Sequence, residues 1–163
     1  MTTPETAHTA PGDAPSIVTI DRIVDAASQS GIGLAADGSG RAAHGSHEEL
    51  ELMVVLLDSV FIVRADSVTD TAADSPDATY YLAANEVNST LNGARAIVGN
   101  RTENIVIRIE AEESVAAGMT DEQLRSAVST SVNSVVSAHD AMAVLSEQIT
   151  QAKAEATEDD RES

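Results

Sequence analysis

The chain has 163 residues, with 27 Asp or Glu, nine Lys or Arg and no Cys, so its formal net charge is −18. This charge repels nucleic acid and anionic lipid, and the absence of thiols excludes disulfides, thiolate metal sites and thiol catalysis. The length fits one compact domain, whose core must be mainly aliphatic because the chain has one Phe and two Tyr. We therefore expect neither a nucleic-acid nor a membrane partner.

The two ends of the chain have the composition of disordered segments. Residues 1–16 are rich in Thr, Ala and Pro, lack Lys and Arg, and show no hydrophobic periodicity. Residues 151–163 form an acidic tail of similar character. We predict a disordered arm over 1–16, a domain over 17–150 and a disordered tail over 151–163. No secretion signal or membrane anchor is recognisable in the arm, so we expect a cytoplasmic protein.

A first helix is predicted after Thr19. Ile20, Ile23 and Ala27 recur at helical spacing. Thr19 can cap the first turn, and Gly31 can end the helix because glycine tolerates a positive φ.

Four strands are predicted to follow this helix. Asp37-Gly38-Ser39-Gly40 favours a hairpin turn, and apolar residues either dominate or alternate in the flanking and following segments. We expect polar loops at 44–49 and 69–76. The predicted strands are 32–36, 41–43, 50–57 and 60–68.

A second helix and two further strands complete the middle of the chain. Tyr80, Ala84, Val87 and Leu91 recur at helical spacing before Asn92-Gly93. The segments 94–98 and 105–112 have the length and residue types of strands, and the second alternates strictly between apolar and polar residues.

A long last helix is predicted from a capping box at Thr120–Gln123. It spans about 45 Å over about 30 residues, more than a six-stranded sheet of this size needs. We therefore expect a homodimer in which the apolar stripe of this helix packs on a partner. The predicted contact residues are Val135, His139, Met142, Val144, Leu145 and Ile149.

Strands and helices in separate blocks predict an α+β fold, with helices packed on one face of an antiparallel sheet. Two features of this order resemble the YbjN family. They are Asn85-Glu86-Val87-Asn88 late in a helix and the later capping box at Thr120–Gln123. Members of this family are bacterial proteins described as sensory-transduction regulators. This chain has Val87 where they commonly have Trp. The resemblance spans about 17–149 and implies a fold similar to type III secretion chaperones.

The resemblance implies a non-catalytic adaptor or regulator, chaperone-like in binding other proteins. It also implies that Asn85 and Asn88 tether a helix end and a loop, since Asn competes well for backbone hydrogen bonds. We expect no enzymatic activity, no catalytic residue and no cofactor.

The alternative is a metal-binding sensor or a metal-dependent enzyme. His44 and His47, with Glu48 or Glu49, offer two imidazoles and carboxylates to one ion such as zinc or nickel. A polar loop carrying these residues for solvation is the competing interpretation, since no helical His-Glu-x-x-His is present.

Overall fold

The computed structural model describes residues 14–162, with side chains through Glu158. In this range three helices and six strands follow one another in the predicted order: a helix, four strands, a helix, two strands and a long helix. The elements are α1 (Ile20–Gln29), β1 (Gly33–Ala36), β2 (Ala42–His47), β3 (Leu50–Leu56), β4 (Val60–Ala72), α2 (Thr79–Thr90), β5 (Arg95–Gly99), β6 (Asn104–Ser114) and α3 (Asp121–Glu162).

The six strands form one antiparallel sheet in the order β1-β2-β3-β4-β6-β5. The two longest strands, β4 and β6, pair with each other inside the sheet. Because β5 lies outside β6, the segment that contains α2 carries the chain from the centre of the sheet to its edge.

All three helices pack on the same face of the sheet, where they bury an aliphatic core with one aromatic ring, Phe61. This arrangement confirms the predicted α+β fold. Fully buried members from the sheet include Val54, Phe61, Val63, Ile105 and Ile109, and those from α3 include Val128, Val132 and Val135.

Both predicted helix caps are present. The Arg22 amide donates to Thr19 Oγ1 over 3.3 Å at the start of α1. At the start of α3, the Gln123 amide donates to Thr120 Oγ1 over 3.1 Å, and the Thr120 amide donates to Gln123 Oε1 over 2.9 Å. This reciprocal pair is a capping box, which fixes where α3 begins.

Ser16, the last residue of the predicted arm, is paired with the turn before α3. Ser16 and Met119 exchange two backbone hydrogen bonds of 3.0 and 3.1 Å, so the turn before α3 holds the segment that enters α1. A Cβ on Gly118 would lie 2.6 Å from the Ser16 carbonyl oxygen, so this approach requires glycine. Residues 1–13 of the predicted arm lie outside the described residues.

The helix α3 continues to Glu162, where the sequence analysis placed a disordered tail over 151–163. The added turns contain Ala, Glu, Gln and Lys without Gly or Pro, a composition that favours helix. Lys153 Nζ also donates to Asp77 Oδ1 over 2.6 Å and to Thr79 Oγ1 over 2.8 Å, which joins these turns to the start of α2. None of the helices within 14–162, α3 included, is both long and apolar enough to cross a bilayer.

Parts of two segments predicted as loops, 44–47 and 69–72, are strand instead. The strand β2 includes His44–His47, and β4 extends through Ala72 after an irregularity beyond Val68. Backbone pairing with a neighbouring strand stabilises these polar residues in extended form, as where His44 lies opposite Met53. Gly45 is also required in β2, because a Cβ there would collide with the Gly33 carbonyl.

Candidate functional site

The face of the sheet opposite the helices carries no other element of the described chain, and we call it the open face. Strand registers place its residues: Met53 lies opposite Arg64, Asp66 opposite Arg108, and Arg95 opposite Glu110. Its central residues are Ala42, His44, Ser46, Glu51, Met53, Val55, Ile62, Arg64, Asp66, Val68, Arg95, Ile97, Val106, Arg108, Glu110 and Glu112.

A cluster of ion pairs occupies the middle of the open face. Arg108 binds Asp66 with two hydrogen bonds of 2.7 and 2.8 Å, and Arg64 lies 3.8 Å from the same carboxylate. The hydrogen bond from Arg108 lowers the pKa of Asp66 below its ordinary value, although burial acts against this, and Asp66 in turn raises the pKa of Arg108. Such bidentate pairs have a defined geometry, so these charges are held in place before any partner binds.

A second group of ion pairs connects the edge strand β5 to β6. Arg95 Nε lies 2.9 Å from Glu110 Oε1, and Arg95 Nη2 lies 3.7 Å from Glu112 Oε2. The Glu110 side chain is only 15% exposed, whereas that of Arg95 is 60% exposed. Arg95 therefore offers an accessible guanidinium that is held by its neighbours.

Apolar side chains flank the ion pairs on both sides. Beside Asp66 and Arg108, the apolar residues Val68, Ile97 and Val106 line part of an open groove of about 770 Å³, whose lining also includes the polar residues Asn100, Arg101 and Thr102. Val68 is 74% exposed and Ile97 is 38% exposed. The solvent-facing side of an antiparallel sheet is ordinarily polar, so this apolar surface calls for an explanation.

The open face is close to neutral in charge. Its paired positions carry three arginines, Arg64, Arg95 and Arg108, against four acids, Glu51, Asp66, Glu110 and Glu112. The chain as a whole carries a net charge of −18. The open face thus differs in charge from the average surface of this protein.

The Asn85-to-Asn88 motif has a structural role at the edge of the same sheet. Asn88 Nδ2 donates to the Ala96 carbonyl over 2.9 Å, and the Ala96 amide donates to Asn88 Oδ1 over 2.7 Å. Asn88 thereby satisfies both backbone groups of a residue in the edge strand β5, as a neighbouring strand would. The Asn85 side chain is exposed.

The contact residues predicted on α3 are distributed between the core and the surface. Val135 and Met142 are buried against the chain's own sheet, and Leu145 and Ile149 are partly buried beside that core. His139 Nε2 lies 3.3 Å from Ser67 Oγ, and its Nδ1 lies 3.7 Å from Asp140.

In this conformation Val135 and Met142 are not accessible to a partner. Val144 is accessible, with an exposure of 53%. The dimer contact on α3 stays a prediction for the residues that reach the surface.

The residues of the alternative metal site are not brought together. His44 and His47 lie three positions apart on β2, and because alternate residues of a strand point to opposite faces, their side chains diverge. Glu48 and Glu49 form the turn between β2 and β3. Among the described residues no three His, Asp or Glu side chains are close enough to hold an ion. The metal alternative was wrong because it treated β2 as a loop.

The open face left a signal in the sequence, but that signal alone does not identify it. Arg64, Asp66, Arg108 and Glu110 each alternate with apolar residues in their strands. Alternation shows that these side chains share the polar side of a strand, but only the register shows that they meet.

No family model and no curated protein sequence matches the chain. Among solved structures, the fold is similar to the crystal structure of YbjN, "a putative transcription regulator from E. coli". The similarity has a TM-score of 0.61 at 17% sequence identity, and it covers 85% of this chain and 97% of the other. The resemblance to YbjN is therefore confirmed at the level of the fold.

Proposed function

We propose that this chain, with its YbjN-like fold, is a non-catalytic adaptor or regulator that acts by binding other protein chains. The observation that supports the proposal is the open face, where exposed Val68 and Ile97 lie beside ordered arginine pairs. Cores of protein interfaces are enriched in apolar and arginine side chains and depleted in acids and lysine.

The fixed positions of the paired side chains also favour the binding of a protein partner. Asp66 is held by Arg108, and Glu110 by Arg95, so little side-chain freedom is left for a partner to remove. Ordering a long side chain at an interface costs about 0.5–1.5 kcal/mol, and charges already fixed avoid part of that cost.

The acidic remainder of the surface bears on the choice of partner. With a net charge of −18, long-range attraction accelerates encounters with basic proteins and slows encounters with acidic ones. We expect a partner with a basic surface, and the charge argues against nucleic acid as that partner.

Affinity capture from a lysate of the source organism tests this proposal. The baits are the full chain and Val68→Asp, which places a charge in the exposed groove. We expect a protein that the full chain enriches at least about tenfold over Val68→Asp, which corresponds to about 1.4 kcal/mol in binding. A folded bait that enriches no protein contradicts the proposal.

A further inference from the structure

Self-association of this chain is strongly constrained by its charge. Two copies with a charge of −18 each repel one another. Contact between two copies meets the least repulsion where the local net charge is smallest. The open face carries three arginines against four acids. A second copy therefore meets less repulsion at the open face than at a surface of average composition.

The layout of the open face suits contact with an identical face. Along β4 the charged residues Arg64 and Asp66 lie between Ile62 on one side and Val68 on the other. A two-fold axis brings the same patch of both copies together, so a patch that holds both charges can place an arginine of one copy near an acid of the other. The apolar residues at its two ends can then cover each other.

The area of the open face also matches a dimer. With about 3.3 Å per residue along a strand and about 4.8 Å between strands, the six strands cover about 700 Å². Stable protein interfaces bury about 800 Å² on each partner. Two such sheets can pack face to face about 10 Å apart.

We propose that a second copy of this chain covers the open face, giving a dimer with sheet packed on sheet and the helices outside. This inference rests on the proposed function, because the second copy occupies the same surface, and a basic partner must displace that copy to bind there. It differs from the dimer predicted from the sequence, whose contact lay on α3. In the dimer proposed here, Val68 and Ile97 are buried and Val144 stays exposed.

Light scattering on the purified full chain tests the proposal with two matched variants. Val68→Asp changes an open-face residue that is 74% exposed, and Val144→Asp makes the same change at an α3 residue that is 53% exposed. Ile97→Asp on β5 is a second open-face variant in case the first does not fold, which circular dichroism checks. We expect about twice the chain mass of 16.9 kDa for the full chain and for Val144→Asp, and the mass of one chain for the open-face variants.

Any other pattern overturns the dimer. A monomeric full chain, a dimeric Val68→Asp or a monomeric Val144→Asp each does so. Because the measurement uses the purified chain alone, its failure is distinct from failure of the proposed function. A dimer that captures no other protein contradicts the adaptor, whereas a monomer that captures one contradicts the dimer.

Discussion

Asn88 illustrates how one side chain can complete a sheet. Its amide group binds both the N–H and the C=O of Ala96. Asn88→Ala leaves these two backbone groups without protein partners, and Ala96 is only 5% exposed. Each hydrogen bond contributes about 0.5–1.5 kcal/mol, so we expect the free energy of unfolding in urea to fall by about 1–3 kcal/mol.

Asn85→Ala provides the control from the same motif. The Asn85 side chain is exposed on α2, and substitutions at such sites change stability by less than about 0.5 kcal/mol. Equal losses for the two variants would contradict the tethering role of Asn88. Hydrogen exchange at the Ala96 amide gives a second measurement, because only Asn88→Ala should accelerate it.

Asp77 is a residue whose titration reports on the end of α3. The hydrogen bond from Lys153, followed by those from Thr79, lowers the pKa of Asp77 from 3.8 to about 2. Because the pKa is lower in the folded state, the contribution to stability is complete above pH 3.8 and is lost as the pH falls towards 2. We expect Lys153→Met to raise the pKa of Asp77, measured by carboxyl NMR, while Lys153→Arg keeps it low. Titration of Asp77 near 3.8 in the full chain would contradict this contact.

The turn between β2 and β3 consists of two residues that are unfavourable in its left-handed backbone conformation. Glu48 and Glu49 have φ values of +49° and +66°, as in the two-residue turns that prefer Asn-Gly. A left-handed conformation costs a non-glycine residue about 1–2 kcal/mol. Glu49→Gly should therefore raise the free energy of unfolding by about 1 kcal/mol, measured in urea.

Glu86→Gly is the matched control for that substitution. Glu86 is exposed within α2, where glycine costs about 0.5–1 kcal/mol relative to alanine. The same chemical change should therefore have opposite signs at the two sites. Destabilisation at both would show that the turn is not strained in solution.

This turn also explains why the full length of β2 was not predicted from the sequence. The order of the elements followed from apolar periodicity and from two Thr caps, and it was predicted correctly. A strand was predicted at 41–43, but the rest of β2, His44–His47, was missed because its residues are polar and Glu48-Glu49 gives no turn signal. Pairing with β3 fixes this segment, and such pairing depends on residues distant along the chain.

For the whole molecule, the candidate site was less predictable than the fold. The open face brings together Arg64, Arg95 and Arg108 from three strands, β4, β5 and β6, with α2 and three connecting segments between them along the chain. Composition gave the net charge but not its distribution. The near-neutral face on an acidic chain emerges only from the sheet order, in which β6 lies between β4 and β5.

Because of that uneven charge distribution, we expect the affinity of the proposed dimer to rise with salt concentration. Repulsion between two chains of −18 acts over a Debye length of about 20–30 Å near 0.02 M salt, but only over about 4 Å near 0.5 M. The interface itself is close to neutral and partly apolar, so screening removes more repulsion than attraction. We expect the dimer dissociation constant to fall about tenfold between these concentrations, measured by sedimentation equilibrium. Val68→Asp should stay monomeric throughout, which excludes general salting-out, whereas a dimer weakened by salt would mean that ion pairs between the copies dominate the contact.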